Sequence, residues 1–346
     1  MENIESSFDF NLMRFTFYDI YRNVLAGKIS YPRGLKIFEI QNFYQMFKPY
    51  WRFTNFKNRN LNLDYIKREF MWYLNGDKFD LSICNYAKMW NKFIREDGII
   101  YSNYGQYIFG ELNQFIKAYE TLAEDKDSRR ACIIILQPYH IIDINSKEIP
   151  CTYSISFLIR ENKLDMIVRM RSQDSWYGFA SDIPCFSFIH EMMYIMLKDS
   201  YSDLHYGNYH HYVDSFHIYE SQVIRATDIV IDGIETYQKV YCPKISSKDE
   251  VLFLMSREFQ DIEYDRIPVE YKFSKWLVSA KYKWHLMLYD SNNYIWDIVS
   301  DKDSYDRIYL EYLKVTNNQT KFCKPEDGDY YTIGISEDII KNSCTN

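Results

Sequence analysis

Proline and glycine are scarce in this chain, at 8 and 11 of 346 residues, which excludes collagen-like and linker-rich architectures. No window approaches 18 consecutive apolar residues, so nothing reads as a membrane span. The N-terminal MENIESSFDF carries acids and lacks an apolar segment, which is not the pattern of a signal peptide. A basic excess is also missing. The net charge of −7 argues against a general nucleic-acid footprint, so any anion must be held by a local arginine cluster. The seven cysteines show no C-x-x-C spacing, and an odd, scattered set points to free thiols in a reducing compartment, the cytoplasm. Neither nucleic acid nor membrane is expected as a partner.

What is present is the material of a large folded core. Hydrophobic residues at 47% and charged residues at 26% leave no compositional case for disorder. The length fits about two domains. Leu63, Ile66, Phe70 and Leu74 recur at helical spacing and predict a helix over 62–74. A second helix is predicted through Leu112, Phe115, Ile116, Tyr119 and Leu122. Ala131–Leu136 is a short apolar run and reads as a buried strand. Residues 151–160 and 163–171 alternate with period two around Glu161-Asn162, the signature of a tight hairpin. Pro184–Lys198 reads as a helix with proline in its first turn, and Ile229–Ile231 as a strand. Together these predict an α+β, or mixed α/β, fold. The polar stretch at 235–250 marks a soft boundary between a catalytic domain, 1–238, and a C-terminal extension, 239–346, of unassigned role.

Several motifs fail on inspection. Gly105-x4-Gly110 is followed by Glu111-Leu112 rather than Lys-Ser/Thr, so it is no phosphate-binding P-loop. His190-Glu191 lacks the second histidine of a zincin, since position 194 is Tyr. His205, His210, His211 and His217 lack a regular ligand spacing, and no metal is expected. Four features remain: Cys151 at the start of a strand, the arginines Arg129, Arg130 and Arg171, Glu69 on the apolar face of its helix, and Gly178–Asp182 leading into the next helix. Each has an ordinary structural explanation. A lone strand cysteine is commonly a small core residue, arginine pairs commonly make surface ion pairs, and Asp182 can be a helix cap.

The ordered set of motifs resembles the thymidylate synthase family. The match runs through Arg68-Glu69-Phe70-Met71-Trp72-Tyr73-Leu74-Asn75-Gly76-Asp77, Met89-Trp90 and Ser102-Asn103-Tyr104-Gly105. It continues through Asp127-Ser128-Arg129-Arg130, Pro150-Cys151, Arg171-Ser172-Gln173-Asp174, Gly178–Asp182 and Phe216-His217-Ile218-Tyr219. Arg33-Gly34 is similar to the family's phosphate-binding arginine loop in shortened form. Thr152 after the cysteine, Met170 before Arg171 and Ser215 before Phe216 resemble the phage-type deoxycytidylate hydroxymethylases more than the synthases. So does Asp182, where the synthases carry an Asn that reads uracil.

That exchange has a chemical meaning. A carboxylate accepts from the cytosine amine and from a protonated N3, a charge-assisted pair that also makes C6 more electrophilic. Facing uracil, the ionised group leaves O4 without a donor.

The resemblance implies a thymidylate synthase-like fold and a folate-dependent hydroxymethylation of dCMP. Catalysis would fall to Cys151, Glu69, Asp182 and Tyr104. Arg33, Arg129, Arg130, Arg171, Ser172, His217 and Tyr219 would bind the nucleotide, with the arginines, Arg171 above all, lowering the thiol pKa. Trp90, Asp174, Tyr177 and Gly178 would line the site of 5,10-methylenetetrahydrofolate. It further implies a homodimer whose Arg129 and Arg130 serve the partner's site. Alternatives within the resemblance are a thymidylate synthase or a dUMP hydroxymethylase, and outside catalysis a nucleotide-binding scaffold.

Overall fold

The central hairpin forms as the alternation demands. In this computed structural model, which describes residues 7–59, 61–142, 146, 148–240, 242–281, 286–290 and 293–297, strand β4 (Thr152–Arg160) pairs antiparallel with β5 (Lys163–Met170). Arg160 faces Lys163, and the two residues between them, Glu161 and Asn162, both take positive φ, 50° and 57°. Two successive left-handed residues make the turn whose twist suits a two-residue hairpin. The inward positions Ile155, Phe157, Ile159, Leu164, Met166 and Val168 are at most 1% exposed.

These strands sit within a mixed sheet of order β1-β2-β7-β5-β4-β3. Its other members are β1 (Lys28–Ser30), β2 (Ile37–Phe47), β3 (Cys132–Ile134) and β7 (His205–Tyr219), with the short β6 (Gln173–Asp174) also pairing β7. All ladders are antiparallel except β5–β7 and β6–β7. The helices used below are α1 (Ser7–Leu25), α2 (Leu63–Asn75), α3 (Gly105–Ile108), α4 (Gln114–Glu124), α5 (Pro138–Ile142), α6 (Gly178–Lys198), α7 (Glu220–Asp232) and α8 (Lys248–Leu254).

Helix α6 is the core element. It lies on β5, β6 and β7, flanked by α2, α4 and α8, and it is buried on every side over most of its length. A helix apolar all round belongs inside a protein. Its polar residues therefore require partners: Glu191 pairs with Arg52, and His190 Nε2 meets the Leu164 carbonyl at 2.8 Å. Helix α1 covers β2 and β7. The opposite face of the sheet is half open, with Tyr44 47%, Tyr212 41% and Ile134 42% exposed.

Three expectations differ from what forms. The run Ala131–Leu136 yields only the edge strand β3, and it is not wholly buried: Ile133 is 0% exposed while Ile134 lies on the open face. Helix α6 begins at Gly178, six residues before Pro184, because burial against the sheet outweighs the N–H that proline lacks. Ile229–Ile231 is helical, within α7, where Ile229 is buried and Ile231 is 75% exposed. Three apolar residues cannot fix a period by themselves.

The chain divides into two compact units, Met1–Val240 with Ser247–Gln260, and Tyr241–Ser246 with Asp261–Asn346. The second contains a helix over Lys272–Val278, with Phe273 and Trp276 rings stacked at 5.7 Å, and a hairpin of Leu286–Asp290 with Asn293–Asp297. Of the expected extension 239–346, residues 298–346 lie outside the described residues.

Candidate active site

Cys151 stands one residue before β4, and β5 fixes its backbone: the Arg171 N–H donates to the Cys151 carbonyl at 2.8 Å. The Arg171 side chain turns back over the same segment. Its Nε donates to the Pro150 carbonyl at 3.0 Å and its Nη2 to the Ile149 carbonyl at 2.7 Å, with Nη2 3.6 Å from Cys151 Sγ. Arg171 is the largest influence lowering the thiol pKa, as expected, but the net shift is upward. Burial pushes the Cys151 thiol up; Arg171 and then Arg33 pull it down, while Asp182 and Glu148 add to the rise. Removing a thiolate from water costs more here than these guanidinium groups return.

Helix α2 carries Glu69. Asn62 caps it by accepting from the Tyr65 N–H at 2.9 Å, and Gly76 ends it in the left-handed conformation, φ 66°. Glu69 is 3% exposed. The Tyr65 hydroxyl, one turn earlier on the same face, donates to Glu69 Oε1 at 3.0 Å and accepts from Trp90 Nε1 at 3.1 Å. Glu69 Oε2 is buried, and among the described residues no donor meets it in good hydrogen-bond geometry. Burial raises this carboxyl to about 7, against the opposing hydroxyls of Ser181, Tyr65 and Tyr73.

The raised value has a consequence for stability. The fold keeps the Glu69 proton to about pH 7, whereas the unfolded chain releases it near 4.5. The folded state therefore binds more protons in that window, and stability falls as pH rises through it, by an amount on the order of 3 kcal/mol. Glu69→Gln cannot titrate. Denaturant unfolding at pH 5 and pH 8 is expected to show the variant gaining about 2–3 kcal/mol on the parent between the two. Parallel curves would contradict this.

Asp182 lies in the second turn of α6, not at its cap, and is 7% exposed. Gln173, on β6, donates from Nε2 to Asp182 Oδ2 at 2.8 Å. Burial raises the Asp182 carboxyl to about 8, with Glu69 the next cause and Gln173 opposing. A β-carbon on Gly178 would stand 3.5 Å from Asp182 Oδ2, in ordinary van der Waals contact, so the start of α6 runs close beside this carboxyl. Behind Gln173, its Oε1 meets His211 Nε2 at 2.7 Å, and His211 Nδ1 meets the Tyr209 hydroxyl at 2.8 Å.

Tyr104 joins this group. It is 5% exposed, its ring 5.5 Å from Tyr73 and 6.1 Å from Phe186, and burial reinforced by Cys151 and Asp182 pushes its phenol well above the usual range. The neighbouring Asn103 and Gly105 are structural. Asn103 bridges the Asp77 carbonyl and the Gly105 N–H, and a β-carbon on Gly105 would collide with the Tyr73 backbone. Asp174 accepts from the N–H groups of Trp176 and Tyr177 and shapes the turn into α6. Tyr177 is 56% exposed. His217 is buried on β7, 3.2 Å from the Ser215 carbonyl and edge-on to Tyr219; Ser172 is half-buried beside Arg171. Arg33 is exposed on a turn with φ 54°.

Arg129 and Arg130 do not join the site within one chain. The Phe157 N–H bonds to the Ala131 carbonyl, which puts the arginine pair six residues along β4 from Cys151, about 20 Å at the usual strand rise. Both are exposed. Among the described residues no His, Cys, Asp and Glu cluster is arranged to hold a metal ion, and no helix is long and apolar enough to cross a membrane.

Tyr65, Gln173, His211 and Tyr209 had no assigned role from sequence. The first was legible, four residues before Glu69 on a helix. The last two required β7 to be read as a strand, which its polar and aromatic composition conceals.

The chain is similar to the deoxyuridylate hydroxymethyltransferase of Bacillus phage SP01, 31% identical over 242 residues, 65% of this chain and 60% of the relative. It is similar to the deoxycytidylate 5-hydroxymethyltransferase of Enterobacteria phage T4, 35% identical over 128 residues, 35% of this chain and 52% of the relative. It also resembles the thymidylate synthase of Vesicomyosocius okutanii, 25% identical over 215 residues, 60% of this chain and 76% of the relative. The chain thus spans little more than half the length of the two phage relatives. The family model for thymidylate synthase matches residues 32–272, which takes in every residue of the site just described, and the chain belongs to the thymidylate synthase family.

Proposed function

We propose that this protein converts dCMP, 5,10-methylenetetrahydrofolate and water to 5-hydroxymethyl-dCMP and tetrahydrofolate. The observation that carries the reading is Asp182: a buried carboxyl held by Gln173, close enough to Cys151 and Glu69 to shift both its own ionisation and that of the thiol. Its raised pKa leaves a proton available at the pH of catalysis. Shared with cytosine N3, that proton lets the ring accept electrons when Cys151 Sγ adds to C6.

The chain's residues then have the following work. Arg171, Ser172 and Arg33 hold the 5′-phosphate, where guanidinium forks match phosphate oxygens, while His217 and Tyr219 bind the sugar 3′-hydroxyl. Sγ bonds to C6, and the displaced C5–C6 electron pair makes C5 a nucleophile. When bound, 5,10-methylenetetrahydrofolate supplies the one-carbon unit and leaves as tetrahydrofolate; Trp90, Asp174, Tyr177 and Gly178 would hold it. The half-buried Trp90 indole, tied through Tyr65 to Glu69, and the largely exposed Tyr177 ring suit a flat ligand. Glu69, near neutrality, handles the proton lost from C5, with Tyr104 beside the nucleophile. Its Oε2, which no donor among the described residues meets in good geometry, suits a water that adds to the exocyclic methylene. Expulsion of the Cys151 thiolate restores the C5–C6 double bond.

The position of Arg129 and Arg130, far along β4 from their own Cys151, supports a homodimer in which each copy lends its pair to the other's phosphate site. The half-open sheet face, with Tyr44, Tyr212 and Ile134, offers apolar surface for that contact.

A second reading, dUMP as substrate, is favoured by one feature. A neutral Asp182 presents one donor and one acceptor, which uracil can also match. Incubation with folate and either 5-fluoro-dCMP or 5-fluoro-dUMP separates the two, because C5 then carries no proton to lose and the adduct persists. Intact-protein mass is expected to show an adduct on Cys151 with the cytosine analogue. Trapping by the uracil analogue alone would contradict the proposal.

A further inference from the structure

Asp182 ends a single file of four buried polar groups. The Tyr209 hydroxyl lies 2.8 Å from His211 Nδ1, His211 Nε2 lies 2.7 Å from Gln173 Oε1, and Gln173 Nε2 donates to Asp182 Oδ2 at 2.8 Å. None of the four is more than 7% exposed. The His211 ring sits among Phe43, Phe47 and Phe179, at 6.5, 6.4 and 6.1 Å, and burial lowers its pKa to about 3, so it is neutral. A neutral imidazole has one donor and one acceptor, so the file has a direction. With Tyr209 donating to Nδ1, the Nε2–H donates to Gln173 and the Gln173 N–H to Asp182. Reversed, the phenolic hydrogen of Tyr209 would be buried without an acceptor, since its oxygen has no other partner among the described residues. Tyr209 therefore sets the direction.

We infer that Tyr209 and His211 are specificity-determining positioning residues that, through Gln173, make the two oxygens of Asp182 unequal and so fix which pyrimidine the site accepts. The inference rests on Asp182 as the base reader. The Gln173-facing oxygen is kept as an acceptor, and the proton stays on the other. With the base placed so that its C4 substituent lies toward the Gln173-facing oxygen, cytosine meets the protonated oxygen at N3 and the acceptor at its amine. Uracil requires the reverse, with the proton on the oxygen that already receives the Gln173 N–H. A protonated carboxyl oxygen accepts poorly, so that arrangement leaves a buried donor badly paired.

Tyr209→Phe deletes one oxygen and releases the direction; His211→Phe removes the link. Tritium release from C5-labelled dCMP and dUMP, measured on the full chain with folate, is expected to show the dCMP-to-dUMP ratio falling about tenfold in Tyr209→Phe and further in His211→Phe. Should His211→Phe not fold, Tyr209→Phe and the nitrogen-15 spectrum of parental His211 carry the test, with an Nε2–H tautomer expected. A ratio within twofold of the parent, both rates falling together, overturns the inference, as does an Nδ1–H tautomer. A parent that prefers dUMP while Tyr209→Phe shifts toward dCMP would sink the cytosine reading and still support the relay.

Discussion

Cys151→Ala is expected to bind dCMP with affinity close to that of the parent and to turn it over at least about 10⁴-fold more slowly. Pyrimidine C5 is a poor nucleophile until a group adds at C6, and no second nucleophile is described beside Cys151. Cys185, the other cysteine near the carboxyls, is 0% exposed, with its Sγ 3.9 Å from the Ile66 carbonyl. On the proposed reading guanidinium groups hold the phosphate and Asp182 the base, so binding should survive the loss of the 3.6 Å contact between Arg171 Nη2 and Sγ. Single-turnover rates and dCMP titration by calorimetry check the two halves separately. Unchanged function in Cys151→Ala would return the protein to the class of nucleotide-binding scaffolds.

Asp182→Asn is the second large effect. The side-chain amide is of nearly the same shape and can hydrogen-bond either base, but it has no proton to give to N3. Cytosine bound to it keeps a neutral ring, and Cys151 meets a weaker electrophile. Turnover of dCMP is expected to fall by about 10²–10⁴-fold, the usual weight of a positioned acid, with dCMP affinity retained. Uracil, which needs no protonation at N3 and finds both a donor and an acceptor on the amide, is expected to become the better substrate. The change also removes the carboxyl that raises the Cys151 thiol, so loss of dCMP turnover cannot be traced to a less acidic nucleophile. Loss of both activities in equal measure would contradict the base-reading role.

The elements that sequence made legible are those whose pattern is local. The β4–β5 hairpin announces itself by alternation on either side of Glu161-Asn162, and α2 by its apolar face. Central strand β7 does not, although it is the longest strand: HYGNYHHYVDSFHIY alternates in burial but not in hydropathy, since the buried positions include Gly207, His211 and His217. The contact that lets His211 be buried beneath the site, from its Nε2 to Gln173 Oε1, spans 38 residues, which no window reveals. Helix α6 is legible only over Pro184–Lys198, and its first six residues are hidden for the opposite reason. It is apolar all round, so it has no period, and its proline suggested a start six residues late.

The site divides the same way. Cys151, Glu69, Arg171 and Asp182 stand in motifs, and the fold brings them together. Sequence alone could not give the state of their protons. Burial decides it, raising Cys151 where the arginines were expected to lower it, and bringing Glu69 and Asp182 to about 7 and 8. Two carboxyls that are both partly protonated near neutrality suit a reaction that gives a proton to the ring, takes one from C5 and adds water.

The most direct test is tritium release from C5-labelled dCMP and dUMP with 5,10-methylenetetrahydrofolate, the nucleotide product identified by mass. Release from dCMP with a product heavier by one hydroxymethyl group is the predicted result, supporting both the role of Asp182 and water as the final acceptor. Release chiefly from dUMP, or a methylated product, would contradict it.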